Sequence, residues 1–144
     1  MIVLDAYAVL ALLKGEPAAP QVHDLIAGNH EARLTALGAA EVVDHLVRLA
    51  GASEDDAALD LAQLGLADAT PVDADLGLRS GLLRGRHYHR HDRAVSLADC
   101  VAAETARSSD ASVATADPHL LDMCRGEGIR VISLPDSKGN TWPD

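Results

Sequence analysis

Residues 1–13 read MIVLDAYAVLALL, and how this stretch is read decides the fold. Ile2, Val3 and Leu4 form a wholly apolar run of the kind that builds a buried strand, and residues 8–13 continue as an apolar helix. Asp5 stands between them. A carboxylate at the end of a buried strand costs free energy unless a partner or a bound cation compensates it, so other polar groups are expected to converge on Asp5. A strand that hands over directly to a helix is the repeating unit of an α/β domain with a mostly parallel sheet.

The rest of the chain keeps that alternation, with no internal repeat and no interdomain linker. Helices are predicted over residues 17–27, 39–50, 54–66, 74–86, 96–108 and 118–125, and strands over 112–115 and 130–134. Weaker strand signals cover 33–37 and 69–72. Ser53 suits the N-cap of the helix over 54–66, with acids in its first turn. Pro118 suits a first helical position, and Gly126 or Gly128 the exit of that helix. One domain over 1–134 is expected, followed by a tail over 135–144 whose Pro, Gly, Asn and Asp predict loose order.

A chain of 144 residues fits one domain that buries roughly two-thirds of its unfolded surface. There is no Phe, so the core must come from Leu, Val, Ile and Ala, which favour helices packed closely on a sheet. Cys100 and Cys124 lack the spacing of a disulfide framework or a thiolate zinc site, which points to a reducing cytoplasm. The opening apolar run is too short to span a bilayer, and no membrane association is expected. A net charge of −10 argues against a nucleic-acid ligand unless a local basic patch and metal ions offset it.

Four acids stand in unusual places. Asp5 and Asp117 each follow a predicted strand, at the carboxyl edge where open parallel sheets bind their ligands. Glu41, in TALGAAEVVDHLVRL, and Asp99, in VSLADCVAAETA, lie inside apolar helical stretches. Taken singly, a strand-end Asp is most often a helix N-cap, and Glu41 is an ordinary helix residue with Asp44 on the same face. Taken together, four converging carboxylates resist ionisation unless a cation neutralises them. Hard ions such as Mg²⁺ or Mn²⁺ take oxygen ligands and share them with phosphate, so the set points to phosphodiester hydrolysis.

From IVLDAYAVLALL through AAEVVDHLVRL and SLADCVAAETA to SVATADPHLL, the chain resembles the PIN-domain nucleases, and most of all the VapC-type toxins of bacterial toxin–antitoxin modules. The resemblance implies a three-layer α/β/α sandwich around a mostly parallel sheet, a homodimer, and Mg²⁺- or Mn²⁺-dependent endoribonuclease activity restrained by a VapB-like antitoxin. It places the acidic site on Asp5, Glu41, Asp99 and Asp117, with Asp5 and Asp99 as direct metal ligands. Glu41 and Asp117 would act through water or a second metal position, and Thr115 would orient the last acid. Metal-activated water would leave 5′-phosphate and 3′-hydroxyl ends. The family usually carries Ser or Thr two residues after its first acid; here the residue is Tyr7. Apolar helices such as VHDLIAG and EVVDHLVRL suit the gripping of an amphipathic antitoxin segment.

Residues 79–93, RSGLLRGRHYHRHDR, hold five of the chain's 12 Lys and Arg against the single acid Asp92. Arg84, Arg86 and Arg90 are the candidate RNA contacts, and Tyr88 offers a base-stacking ring. A solvated loop is the plainer reading. The alternating imidazoles of HYHRH also resemble a transition-metal site, but no nearby Cys or acid completes the ligand set. Two rival functions are a phosphoacceptor receiver domain and a noncatalytic PIN-like partner-binding module. The first would want adjacent acids after the first strand, where Ala6 stands, and the second finds its support in Tyr7.

Overall fold

The computed structural model describes residues 1–143; Asp144, the last residue of the expected tail, lies outside the described residues. Four strands pair, all parallel. β1 (Ile2–Leu4) lies between β2 (Ala32–Arg33) and β3 (Ser112–Thr115), and β4 (Val131–Ser133) pairs with the outer side of β3. The connection from β1 to β2 carries α1 (Ala6–Lys14) and α2 (Ala19–Ala27). Between β2 and β3 run α3 (Ala36–Arg48), α4 (Glu54–Gln63), α5 (Ala74–His87) and α6 (Leu97–Ser108), and α7 (Pro118–Gly126) joins β3 to β4.

Alternation along the strands divides the core in two. Ile2, Leu4 and Ala114 point to the side packed by α1, α2, α3 and α4, where Val9, Val22, Val42 and Leu61 are buried. Val3 and Val113 point to the other side, packed by Leu83 of α5, Ala103 of α6 and Leu120 of α7. The chain is thus an α/β/α sandwich. The β1-to-β2 connection steps one way along the sheet and the β3-to-β4 connection the other, so right-handed crossovers put their helices on opposite faces. The reversal falls between β1 and β3, the place where such sheets open a crevice.

Local chemistry sets the helix ends. Asp5 accepts from the Ala8 amide and so starts α1 at Ala6, two residues before the apolar periodicity begins. At its other end, Gly15 takes the left-handed φ of 67° that a side chain would resist. α2 starts at Ala19 with Pro20 in its first turn, later than the expected 17. Thr35 caps α3, which confines the second strand to Ala32–Arg33 instead of 33–37. Residues 69–72 form no strand: Thr70 makes one parallel bridge, donating to Leu34 and accepting from Ala36. Pro71 brings no N–H to extend it.

α6 is buried at every position from Cys100 to Ala106, among them Ala102, Ala103 and Ala106, whose small side chains let it lie against both β1 and α5. Residues 135–143 make fixed contacts as well: Pro135 bridges Thr141, and the Trp142 indole donates to Asp122 at 3.3 Å. Among the described residues no helix is long and apolar enough to cross a membrane.

Leu120, fully buried, should matter far more than Leu59, which is 52% exposed. In urea denaturation, Leu120→Ala is expected to cost about 2–5 kcal/mol, whereas Leu59→Ala stays within about 0.5 kcal/mol.

Candidate active site

Three helix N-termini meet at the reversal between β1 and β3, and each carries one of the expected acids. Asp5 Oδ1 caps α1 through the Ala8 amide at 2.8 Å. Asp99 and Ser96 form a reciprocal capping box on α6: the Asp99 amide donates to Ser96 Oγ at 3.0 Å, and the Ser96 amide donates to Asp99 Oδ2 at 2.8 Å. Asp117 Oδ1 caps α7 by accepting from the His119 amide at 2.8 Å. The same side chains are therefore both helix caps and neighbours at one cavity. Capping fixes each carboxylate in one rotamer, and the positive end of each helix favours its charge.

Thr115, fully buried at the end of β3, ties two of them together. Its hydroxyl donates to Asp5 Oδ2 and accepts from the Asp117 amide at 3.0 Å. Glu41 reaches the same cavity from α3. Asp5, Glu41, Asp99 and Asp117, with Tyr7 and Asp136, line a cavity of about 350 Å³. So all four expected acids come together, although they lie on four separate elements. Asp136 comes from the tail and was not anticipated; its neighbours Ser137, Lys138 and Gly139 read only as turn chemistry.

The electrostatics are those of crowded carboxylates. Burial pushes the Asp5 carboxyl up to about 7, against its hydrogen bonds from Thr115 and Ala8, and the Asp99 and Asp117 charges add to the rise. Asp99 is raised by desolvation and then by Asp117, and Glu41 by desolvation and then by Asp99. Among the described residues, no three His, Cys, Asp or Glu side chains stand around one point as a closed metal site. The donor set nonetheless fits a hard cation. It is all carboxylate, and Asp99 Oδ1 and Asp117 Oδ2 take no protein donor among the described residues.

The basic segment is placed differently from what composition predicts. Arg86, His87 and Arg107 converge on Glu127, and Arg79 bridges Asp75 and Glu104. The His87 hydrogen bond, followed by those of Arg107 and Arg86, holds the Glu127 carboxyl down to about 2. Acids remote in sequence thus occupy part of the local positive charge. Arg84 lies 4.2 Å over the Tyr88 ring and donates to the Val95 carbonyl, while Arg90 stays on the exposed loop and donates to His91. That loop touches the first turn of α7 through the Asp92 carbonyl, 3.2 Å from the His119 ring.

With this geometry established, comparison with known proteins gives the class. The PIN-domain family model matches residues 2–126, and the chain belongs to that family. No curated protein sequence matches. Among solved structures, the chain is similar to FitAcB from Neisseria gonorrhoeae, with TM-score 0.67 and 20% identity over 92% of this chain and 96% of that one. It is similar to VapBC2 from Rickettsia felis bound to a promoter DNA fragment, with TM-score 0.66, 16% identity and coverage of 92% and 98%. A third is Mycobacterium tuberculosis VapC20, a sarcin-ricin loop cleaving toxin, with TM-score 0.67, 18% identity and coverage of 85% and 94%. At these identities the likeness is one of fold.

Because the folded Asp5 carboxyl holds its proton more tightly than the unfolded one, the cation-free protein loses stability as pH rises from about 4 to about 7 and no further above that. Asp5→Asn keeps the Ala8 cap and removes this loss. At pH 8 in EDTA the variant is expected to be about 1–2 kcal/mol more stable than the parent, after discounting for solvent screening, and equal to it near pH 4. Thermal melts at both pH values check this.

Proposed function

We propose that the chain is a Mg²⁺- or Mn²⁺-dependent endoribonuclease, the toxin of a cytoplasmic toxin–antitoxin pair. The observation that carries the reading is the convergence of Asp5, Glu41, Asp99 and Asp117 on one cavity, at the strand ends where the sheet reverses. Asp5 and Asp99 are the direct cation ligands, Glu41 and Asp117 hold it through water or define a second position, and Thr115 keeps Asp5 in register with Asp117. When bound, the cation supplies the charge that polarises a phosphodiester and makes an attacking water more acidic. The protein contributes fixed donors and the N-termini of α1, α6 and α7, which favour an approaching phosphate.

An antitoxin is the natural protein partner, as in the toxin-antitoxin complex from Klebsiella pneumoniae to which the chain is also similar in fold. Its support here is a second cavity of about 400 Å³ between α1 and α3 that shares Tyr7 and Glu41 with the acid cavity. Leu10 offers it an apolar wall, and Glu16 and Glu41 favour a basic side chain, while Asp44 is paired with Arg48. A second copy of the chain is the other partner of this reading. On α5, Leu78 and Leu82 are 65% and 56% exposed one turn apart, and an acidic start (Asp73, Asp75) complements a basic end (Arg84, Arg86) when two such helices lie antiparallel.

Cleavage of total RNA by the purified protein should require Mg²⁺ or Mn²⁺ and stop in excess EDTA. Asp99→Asn should lower it by at least about 100-fold while the fold stays intact, because Asn still accepts from the Ser96 amide. Undiminished cleavage in EDTA overturns the reading. Arg84, Arg86 and Arg90 are proposed to bind RNA phosphates. Changing all three to Ala, with catalysis silenced by Asp99→Asn, should flatten the salt dependence of RNA binding by roughly one in log–log slope for each phosphate no longer neutralised. An unchanged slope makes the segment a bystander.

A further inference from the structure

The position where this chain departs from its family's motif is explained by its C-terminal segment. Tyr7, on the first turn of α1, donates its phenol hydrogen to the carbonyl of Pro135 at 2.9 Å, joining residues 128 apart in the chain. A Ser or Thr at this position is too short to make the same bond. Directly after Pro135 the chain closes a tight turn on Asp136. Its Oδ1 accepts from the amides of Lys138 and Asn140, each at 2.9 Å, and its own amide donates to the Asn140 carbonyl at 2.7 Å. Gly139, with φ of 85°, supplies the left-handed residue the turn needs. Beyond the turn, Thr141 bridges Pro135, the Ser133 hydroxyl donates to the Trp142 carbonyl at 3.0 Å, and Trp142 reaches Asp122 of α7.

The segment is therefore tied at three points, to α1, β4 and α7, and between these ties Asp136 and Ser137 line the acid cavity. Asp136 lines that cavity beside Asp5, Glu41, Asp99 and Asp117. Two amides hold its Oδ1 in place, and its Oδ2 accepts no protein hydrogen bond among the described residues. We propose that Tyr7 is a positioning residue that pins the chain at Pro135 beside the acid cavity, and that Asp136, carried there, is a fifth carboxylate of the cation site. This rests on the nuclease reading above. The fifth charge is of use only where a cation is held, since it would otherwise repel a phosphodiester.

The test measures Mn²⁺ binding to the full-length protein by calorimetry, with amide hydrogen exchange on the same samples. Asp136→Asn keeps the Oδ1 acceptor of the turn and removes only charge; Tyr7→Phe keeps the ring and removes only the hydroxyl. Each is expected to weaken Mn²⁺ affinity about tenfold, in line with groups that orient or supplement a metal site. Tyr7→Phe should speed exchange of the Lys138 and Asn140 amides, and in the Asp136→Asn background it should have no further effect on Mn²⁺. Unchanged affinity in Asp136→Asn, or an equal Tyr7→Phe effect in both backgrounds, overturns the proposal. The Asp99→Asn control separates the two readings. If it loses Mn²⁺ while Asp136→Asn does not, the fifth carboxylate is rejected and the nuclease reading stands. If the unaltered protein binds no Mn²⁺, both fall.

Discussion

The constraint on which this structure depends is that its acidic side chains are also its helix caps. Asp5, Asp99 and Asp117 each commit one oxygen to the first turn of a helix, and those turns belong to α1, α6 and α7. A free carboxylate would turn away from its like-charged neighbours into water. A capping one has its rotamer fixed by backbone amides, and its charge is partly offset by the helix dipole behind it. Burial first, and then the repulsion that remains, raises the Asp5, Asp99 and Glu41 carboxyls. In this way capping lets the fold hold three like-charged side chains at one crevice.

The sheet supplies the place. β1 and β3 are neighbours, and their connections leave in opposite directions on opposite faces, so the helices after them diverge and leave a crevice. Thr115 spans it, donating a hydrogen bond to Asp5 and accepting one from the Asp117 amide. The same topology allows the tail to return. β4 ends beside β3, so the segment after it emerges close to the cavity, where Tyr7 holds Pro135 while Ser133 and Asp122 hold Trp142.

On the far side, α5, α6 and α7 are tied by charge as well as by packing. Glu104 is 3% exposed and still ionically satisfied, taking Arg79 from α5 and Arg107 from its own helix. Glu127 gathers Arg86, His87 and Arg107. Such networks fix geometry more than they add stability. Arg79 and Arg86 are thereby committed to ion pairs, whereas Arg84 and Arg90 pair with no carboxylate among the described residues.

The sequence by itself determined the fold class and most of its elements, because apolar alternation in the strands and periodicity in the helices are local properties that survive without tertiary context. Asp5 and Asp117 were legible for the same reason: each follows an apolar β run and precedes a helix. Glu41 and Asp99 were legible as misfits in apolar stretches. What the sequence misjudged was also local, as with residues 69–72, where one bridge beside Pro71 stands in place of a strand. Only the tertiary structure could decide contacts between segments far apart in the chain. Composition left residues 79–93 nearly unopposed, yet Glu104 and Glu127 arrive through the packing of α6 and α7 on α5. Composition also offered no reason to bring Asp136 to the site or to assign Tyr7 a partner. Both depend on a hydrogen bond across 128 residues, which no window of sequence contains and which exists only once β4 has paired with β3.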